Sequence, residues 1–200
     1  MQPHTAKEAL ARLVAGNQRF VSGKARFPAI RKEILRNLAK EGQRPYATIL
    51  GCSDSRVPVE LLFDAGFGEL FIIRLAGNVV SPEVMGTLQY AAVHLRTPLF
   101  VVLGHEGCGA VSAALAAKRE GRRERERIAR LLETILPGLD CIDPDAPREA
   151  QLAAAVEANV RWSMHQLLET PEAKVRVAEG VVKLVGAVYE LQTGRVRFLT

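Results

Sequence analysis

Residues 99–118 read LFVVLGHEGCGAVSAALAAK. The first six of these residues are an apolar, β-prone run, which is typical of a strand covered on both faces of a sheet. A helical pattern begins at Cys108, directly after that run. A strand that passes straight into a helix is the building unit of an α/β fold, so this stretch indicates the fold class of the chain.

The same alternation extends in both directions from this unit. Four more apolar, β-prone runs predict strands at residues 46–51, 69–74, 181–189 and 195–199. Helical patterns precede and separate them at residues 9–21, 31–40, 58–63, 82–95, 122–136 and 148–168. This order predicts an α/β fold with a central, mostly parallel β-sheet of four strands plus a short antiparallel edge strand, flanked by helices.

The composition is that of an ordinary globular protein, since 48% of the 200 residues are hydrophobic and 24% are charged. The length fits one domain, which we expect over residues 1–200 with an N-terminal helical arm at residues 1–41. Three cysteines, an odd number, argue against a disulfide scaffold and for a reducing compartment. Without a signal-peptide pattern or an apolar run near ~18 residues, we expect a cytoplasmic protein with no membrane partner.

The net charge of +5 raises the question of an anionic partner. The densest basic stretch, residues 118–130, reads KREGRRERERIAR. Glutamates interrupt the arginines, and no aromatic side chain among them offers a surface for stacking bases. Interleaved charges on a helical segment are typical of a solvated face, so we expect no nucleic-acid partner.

Two predicted strand ends carry side chains suited to chemistry. The strand at 46–51 runs into Cys-Ser-Asp-Ser-Arg at 52–56, and the strand at 99–104 runs into His-Glu-Gly-Cys-Gly at 105–109. Ligands bind at the carboxyl ends of parallel strands, and neighbouring strands would bring these two ends together. Cys52, His105 and Cys108 would then form a Cys2His set, which suits a zinc ion with one open position.

Asp54 and Arg56 would complete this site. If residues 52–56 are extended, the side chains at 52, 54 and 56 point the same way. Arg56 could then hold Asp54 ionised and aimed at the metal, where the carboxylate could accept a proton from bound water. Each part also has a simpler interpretation: a cysteine after a buried strand is often a core residue, and an Asp–Arg pair is often a structural salt bridge.

The motifs at 52–56 and 104–109 together resemble the signature of β-class carbonic anhydrases. The resemblance extends to residues 16–21, 74–78 and 189–194. It implies reversible hydration of CO2 to bicarbonate and a proton by attack of zinc-bound hydroxide. It also implies one zinc ion per chain, bound by Cys52, His105 and Cys108. Asp54 and Arg56 would form the catalytic pair, or dyad, beside the metal.

The resemblance further implies a substrate pocket and an assembly. Gln43, Phe71, Tyr90 and Gly109 match the residues that contact substrate in the family. Its members are dimers or larger homo-oligomers with pockets at the interface, so we expect the N-terminal helices to pack on a partner subunit and some pocket residues to come from that partner.

One position departs from part of the family. Some members bind inhibitory bicarbonate with a tryptophan, an arginine and a tyrosine. Arg74 and Tyr189 match the latter two, but Ile49 stands where the tryptophan would be. We therefore expect an open metal site in which Arg56 holds Asp54.

Two alternatives to CO2 hydration remain open at this point. The same scaffold and metal chemistry could hydrolyse COS or CS2, with access to the pocket deciding. A non-catalytic zinc-binding module is the other alternative, and the Asp54–Arg56 pair argues against it because a structural site needs neither residue. His4, His94 and His165 are each candidates for proton transfer, and the sequence does not distinguish them.

Overall fold

A computed structural model describes residues 5–27 and 31–199, so His4 lies outside the described residues. Its centre is one five-stranded sheet in the order β2-β1-β3-β4-β5. The strands are β1 (Ala47–Gly51), β2 (Leu70–Arg74), β3 (Leu99–His105), β4 (Lys183–Tyr189) and β5 (Val196–Phe198). The four strands β1 to β4 run parallel, and β5 pairs antiparallel with β4 at the edge. The predicted fold class is confirmed.

Eight α-helices are found within the described ranges. They are α1 (Ala6–Val21), α2 (Lys32–Glu41), α3 (Val59–Leu62), α4 (Pro82–Tyr90), α5 (Gly109–Glu120), α6 (Glu126–Ile135), α7 (Arg148–Leu168) and α8 (Pro171–Ala178). Short 3-10 turns cover Ala76–Asn78 and Leu136–Leu139. No helix in this part of the chain has both the length and the apolar content needed to cross a bilayer.

The sheet has a hydrophobic core on each face because successive side chains of a strand point to opposite sides. Leu50, Val102 and Val188 pack on the face that is covered by α4, α5, α6 and α7. Ile49 and Val101 pack on the other face, which α1 and α3 cover. Burial on both faces explains why β1 and β3 read as continuous apolar runs in the sequence.

Helix α1 packs on its own chain. Ala9 and Leu13 are fully buried, and Gly16 lies against the backbone of Phe63. Leu13 is therefore covered by α3 and the sheet of its own chain, and the packing of the N-terminal helices on a partner subunit stays a prediction. Helix α2 differs, since it has no buried residue.

Asn17 ties α1 to two distant segments. Its Nδ2 donates to the carbonyl oxygens of Leu62 at 3.1 Å and Gly194 at 2.9 Å. Its Oδ1 accepts from the backbone N–H of Val196 at 2.9 Å. The buried amide thus joins α1 to the end of α3 and to the hairpin between β4 and β5.

Two helical segments differ from the sequence prediction. Helix α8 was not predicted, because none of its residues is buried and its apolar pattern is weak. Its start carries a signal nonetheless, since Thr170 caps the helix and Pro171 occupies the first turn. The helix predicted at 82–95 continues beyond Tyr90 as a wider π-helical turn, which ends at Arg96 in a left-handed conformation.

Candidate metal centre

The pairing of β1 with β3 builds the centre of the site. Gly51 lies opposite Leu103, so the residues that follow each strand leave the same edge of the sheet. The Sγ atoms of Cys52 and Cys108 are 4.0 Å apart, and the ligand atoms of both cysteines and His105 all lie within 4.8 Å of one another. All three residues are buried.

His105 presents a free nitrogen to this centre. Its Nδ1 lies 2.9 Å from the carbonyl oxygen of Glu106, which can only accept, so Nδ1 carries the proton. The lone pair is then on Nε2, which is buried and has no hydrogen-bond partner among the described residues. A buried polar atom without a partner is costly, and a metal ion would satisfy it. The donor set and this orphaned nitrogen fit a zinc ion.

The two sulfurs lie within hydrogen-bond distance of each other. Their interaction holds the pKa of the Cys52 thiol below its ordinary value. The same interaction, together with burial, raises the pKa of Cys108. The backbone N–H of Gly77 also donates to the sulfur of Cys52 at 3.3 Å. Two sulfurs and an imidazole nitrogen within 4.8 Å of one another form a donor set that favours a cation between them.

Asp54 is held by Arg56 through three hydrogen bonds. Oδ1 accepts from the backbone N–H and from Nε of Arg56, both at 2.9 Å, and Oδ2 accepts from Nη2 at 2.7 Å. The guanidinium holds the pKa of this carboxyl well below its usual range. Oδ2 also lies 3.8 Å from Nε2 of His105, so the carboxylate is fixed as an anion beside the ligands.

The segment that carries the dyad is not extended, contrary to the expectation from the sequence. It turns at Ser55 and Arg56, and the N–H of Val57 bonds the carbonyl of Asp54 at 3.1 Å. The reason is the Asp54 carboxylate, which accepts from the N–H two residues later and so favours a turn. Asp54 and Arg56 meet through this local turn rather than through strand alternation.

Arg74 holds the same segment from the end of β2. Its Nε donates to the carbonyl of Cys52 at 2.9 Å, and its Nη2 donates to the carbonyl of Asp54 at 2.6 Å. The sequence matches Arg74 to an anion site together with Tyr189, which is buried. In the structure the guanidinium bonds the backbone carbonyls of Cys52 and Asp54 instead.

The four expected pocket residues lie in different places. Gly109 begins α5 directly after Cys108. The rings of Phe71 and Tyr90 lie 6.2 Å apart, and Tyr90 is 48% exposed. Gln43 is exposed and precedes β1, whereas Cys52 follows that strand. Gln43 therefore lies beyond the opposite end of β1 from the metal centre of its own chain.

Known proteins match this fold and this site. A sequence model described as carbonic anhydrase matches residues 47–196. Carbonic anhydrase 2 of Mycobacterium tuberculosis is 36% identical over 191 residues, covering 92% of this chain and 87% of the relative. A carbonic anhydrase of Mycolicibacterium smegmatis is 37% identical over 181 residues, covering 90% of this chain and 87% of the relative.

A solved structure agrees with these relatives. The β-carbonic anhydrase CcaA superposes with a TM-score of 0.77 at 26% identity, covering 96% of this chain and 87% of the other. The chain belongs to the carbonic anhydrase family, in its β class. The prediction of a carbonic anhydrase enzyme is thereby confirmed.

Proposed function

We propose that the chain catalyses the reversible hydration of CO2 to bicarbonate with one zinc ion held by Cys52, His105 and Cys108. The convergence of two sulfurs on the unpartnered Nε2 of His105 carries this proposal. A zinc ion bound there would act as a Lewis acid that lowers the pKa of water.

Two thiolates would cancel the formal charge of the ion and make it a weaker Lewis acid. A proton acceptor fixed nearby would then help to remove the proton from water. Asp54 fills that role, because Arg56 keeps it ionised and aimed at the ligands. The carboxylate would orient a water molecule beside these three ligands and accept its proton, while Arg56 holds the carboxylate and Arg74 holds its backbone. A positioned proton acceptor contributes about 10²–10⁴-fold to such a step.

We propose a homodimer or larger homo-oligomer in which the pocket is shared. Gln43 lies beyond the far end of β1 from its own metal centre, so it can reach a substrate only in a partner subunit. Phe71 and Tyr90 form an aromatic pair near an edge of the sheet, where a partner can use it. The N–H of Gly109 is available at the start of α5 in the chain's own site.

Zinc binding and CO2 hydration test the proposal together. Fresh protein should contain one zinc ion per chain and hydrate CO2 in a stopped-flow assay. The double variant Cys52→Ser, Cys108→Ser should lose both, whereas Cys141→Ser should keep both, because Cys141 is exposed and away from the centre. Metal retained by the double variant would contradict the assigned ligands.

The same samples address the alternatives. Turnover of COS or CS2 that exceeds hydration of CO2 would favour a hydrolase on this scaffold. Zinc without any turnover would favour a binding module, and the fixed Asp54–Arg56 pair argues against that outcome. The odd number of cysteines argues against a disulfide scaffold, and on that ground we place the enzyme in the cytoplasm. We further propose that it is a single domain over residues 1–200 with an arm at residues 1–41.

A further inference from the structure

A tight turn between β2 and α4 contacts the proposed metal ligands. Gly77 lies in the left-handed region with φ of +70°, and its N–H points at the sulfur of Cys52, 3.3 Å away. A Cβ atom at this position would lie 2.8 Å from Cδ1 of Ile135 and 3.2 Å from Cβ of Ala110. Both the conformation and the space require glycine here.

Helix α7 holds this turn through two buried side chains. The Nδ2 of Asn159 donates to the carbonyl of Gly77 at 2.8 Å. One helical turn later, the hydroxyl of Ser163 donates to the carbonyl of Asn78 at 3.1 Å. Asn159 and Ser163 are each 1% exposed, so neither bond competes with solvent. Cys52, Gly77 and Asn159 thus form a continuous chain of contacts that begins at the metal ligands.

The amide of Asn159 is not explained by stability alone. Its Oδ1 is buried and has no hydrogen-bond partner within residues 5–27 and 31–199. Burying an unpaired acceptor costs stability, and a leucine, which branches at the same atom and has no polar group, would avoid that cost. The role of an asparagine here must therefore lie in its Nδ2 group, which donates to the carbonyl of Gly77.

We propose that Asn159 is a positioning residue of the metal centre, acting through Gly77 on the sulfur of Cys52. By holding the Gly77 carbonyl, it fixes the turn so that the Gly77 N–H stays directed at that sulfur. The hydrogen bond orients the thiolate and withdraws charge from it, which sets how strongly the sulfur donates to the metal. Partners of metal ligands in this position typically contribute about 10–100-fold to metal affinity or activity. The proposal rests on the proposed zinc site.

Metal affinity and the cobalt spectrum test this role in the full chain. Zinc affinity is measured by competition with a chelator, and Co²⁺ is substituted to record the sulfur-to-metal charge-transfer band. Asn159→Leu should bind zinc ~10-fold or more weakly and move the band to longer wavelength, because a sulfur that loses its N–H donor gives up electrons more easily. Ser163→Ala is the matched control, since it loosens the same turn without freeing Gly77, and it should stay close to the parent protein in both measurements.

Each result decides the matter. Parent-like affinity and band position in Asn159→Leu would overturn the role of Asn159, and equal changes in both variants would overturn it in favour of a general structural effect. If Asn159→Leu does not fold, Asn159→Ala is measured in the same way with the same criteria. Absence of a sulfur-to-cobalt band in the parent protein would contradict the proposed zinc site itself, and a normal parent with an unchanged variant would contradict the role of Asn159 alone.

Discussion

A Cβ atom on Gly16 would lie 1.9 Å from the carbonyl oxygen of Phe63. Helix α1 therefore approaches the end of α3 as closely as two backbones can, and the contact holds only because Gly16 has no side chain. Neither backbone can move away freely, since Leu13 is fully buried one turn earlier and Asn17 is hydrogen-bonded to Leu62 on the next residue.

Gly16→Ala should lower the free energy of unfolding by at least ~1–3 kcal/mol, the usual cost of overpacking, because α1 must shift away from α3. Urea unfolding followed by circular dichroism measures this. Gly86→Ala is the matched control: it lies inside α4, and a Cβ atom there would have no neighbour within 4 Å, so it should stabilise the protein by about 0.5–1 kcal/mol. A loss in the control or none in Gly16→Ala would contradict this account of the contact.

Asp64 predicts a pH dependence of stability. Burial would raise the pKa of this carboxyl, but hydrogen bonds from Arg19 and Arg26 outweigh burial and lower it to about 2. A depressed folded-state pKa adds stability above the unfolded pKa of 3.8, and this stability is lost as the pH falls through the folded value. Asp64→Asn should be less stable than the parent by about 2 kcal/mol at pH 7, with the difference shrinking from pH 4 towards pH 2.

Urea unfolding at pH 7, 5, 4 and 3 checks the Asp64 prediction. Glu60→Gln provides the control, because Glu60 is an exposed carboxylate on the neighbouring α3. Its difference from the parent should stay small at each pH. A difference between Asp64→Asn and the parent that does not change with pH would show that the ionised carboxylate is not the source of the stability.

Loss of the Asp54 carboxylate should reduce turnover and leave the metal in place. Asp54→Asn should lower kcat by ~10²-fold or more, because the amide cannot accept the proton that the carboxylate takes. Arg56→Ala should also lose activity by releasing Asp54. Stopped-flow CO2 hydration with zinc analysis on each variant measures both effects, and exposed Ser53→Ala in the same segment serves as the control. Asp54→Asn at the parent rate would exclude this role.

Helix α2 should determine the assembly. Ile34 and Leu35 are 37% and 43% exposed on a helix with no buried residue, so they offer apolar surface to a second subunit. The double variant Ile34→Ser, Leu35→Ser should shift the mass in light scattering towards 21.9 kDa and lose activity, while Arg36→Ser on the same helix should behave as the parent. A parent protein with a mass of 21.9 kDa at micromolar concentration would refute the assembly.

Bicarbonate should act on the enzyme only as product. A second anion site would need the guanidinium of Arg74, which is engaged with the carbonyls of Cys52 and Asp54. Ile49 stands where part of the family has a tryptophan, and it offers no indole N–H to bind the anion in place of Arg74. Initial rates at neutral pH should therefore fall along a simple hyperbola as bicarbonate is added. A sigmoidal curve would contradict this expectation and show that bicarbonate binds at a second site without a tryptophan at position 49.

The strands were predictable because burial on both faces leaves a continuous apolar run, as in β1 and β3. The parallel pairing of these strands then placed Cys52 near His105 without further information. Helix α8 was not predictable because it buries no residue. The turn at Ser55 was not predictable because local hydrogen bonding by Asp54 competes with an extended backbone.

The contact between Asn159 and Gly77 had no signal in the sequence. The two residues are 82 positions apart, and only the packing of α7 on the turn brings them together. Gln43 illustrates the opposite case: its spacing before Cys52 was visible, but the strand between them carries it away from its own metal centre. At such positions the spacing in the sequence does not indicate the distance in the structure.

The bonds of Asn17 bear on how the chain acquires this fold during synthesis. Two of its three partners, the carbonyl of Gly194 and the N–H of Val196, lie 177 and 179 positions further along the chain. At typical ribosomal rates they are made roughly 10–40 s after Asn17 itself. Until then the surface on which α1 packs is incomplete. The side-chain amide of Asn17 lacks its bonds to Gly194 and Val196. Helix α1 thus leaves the ribosome well before the hairpin that completes its contacts.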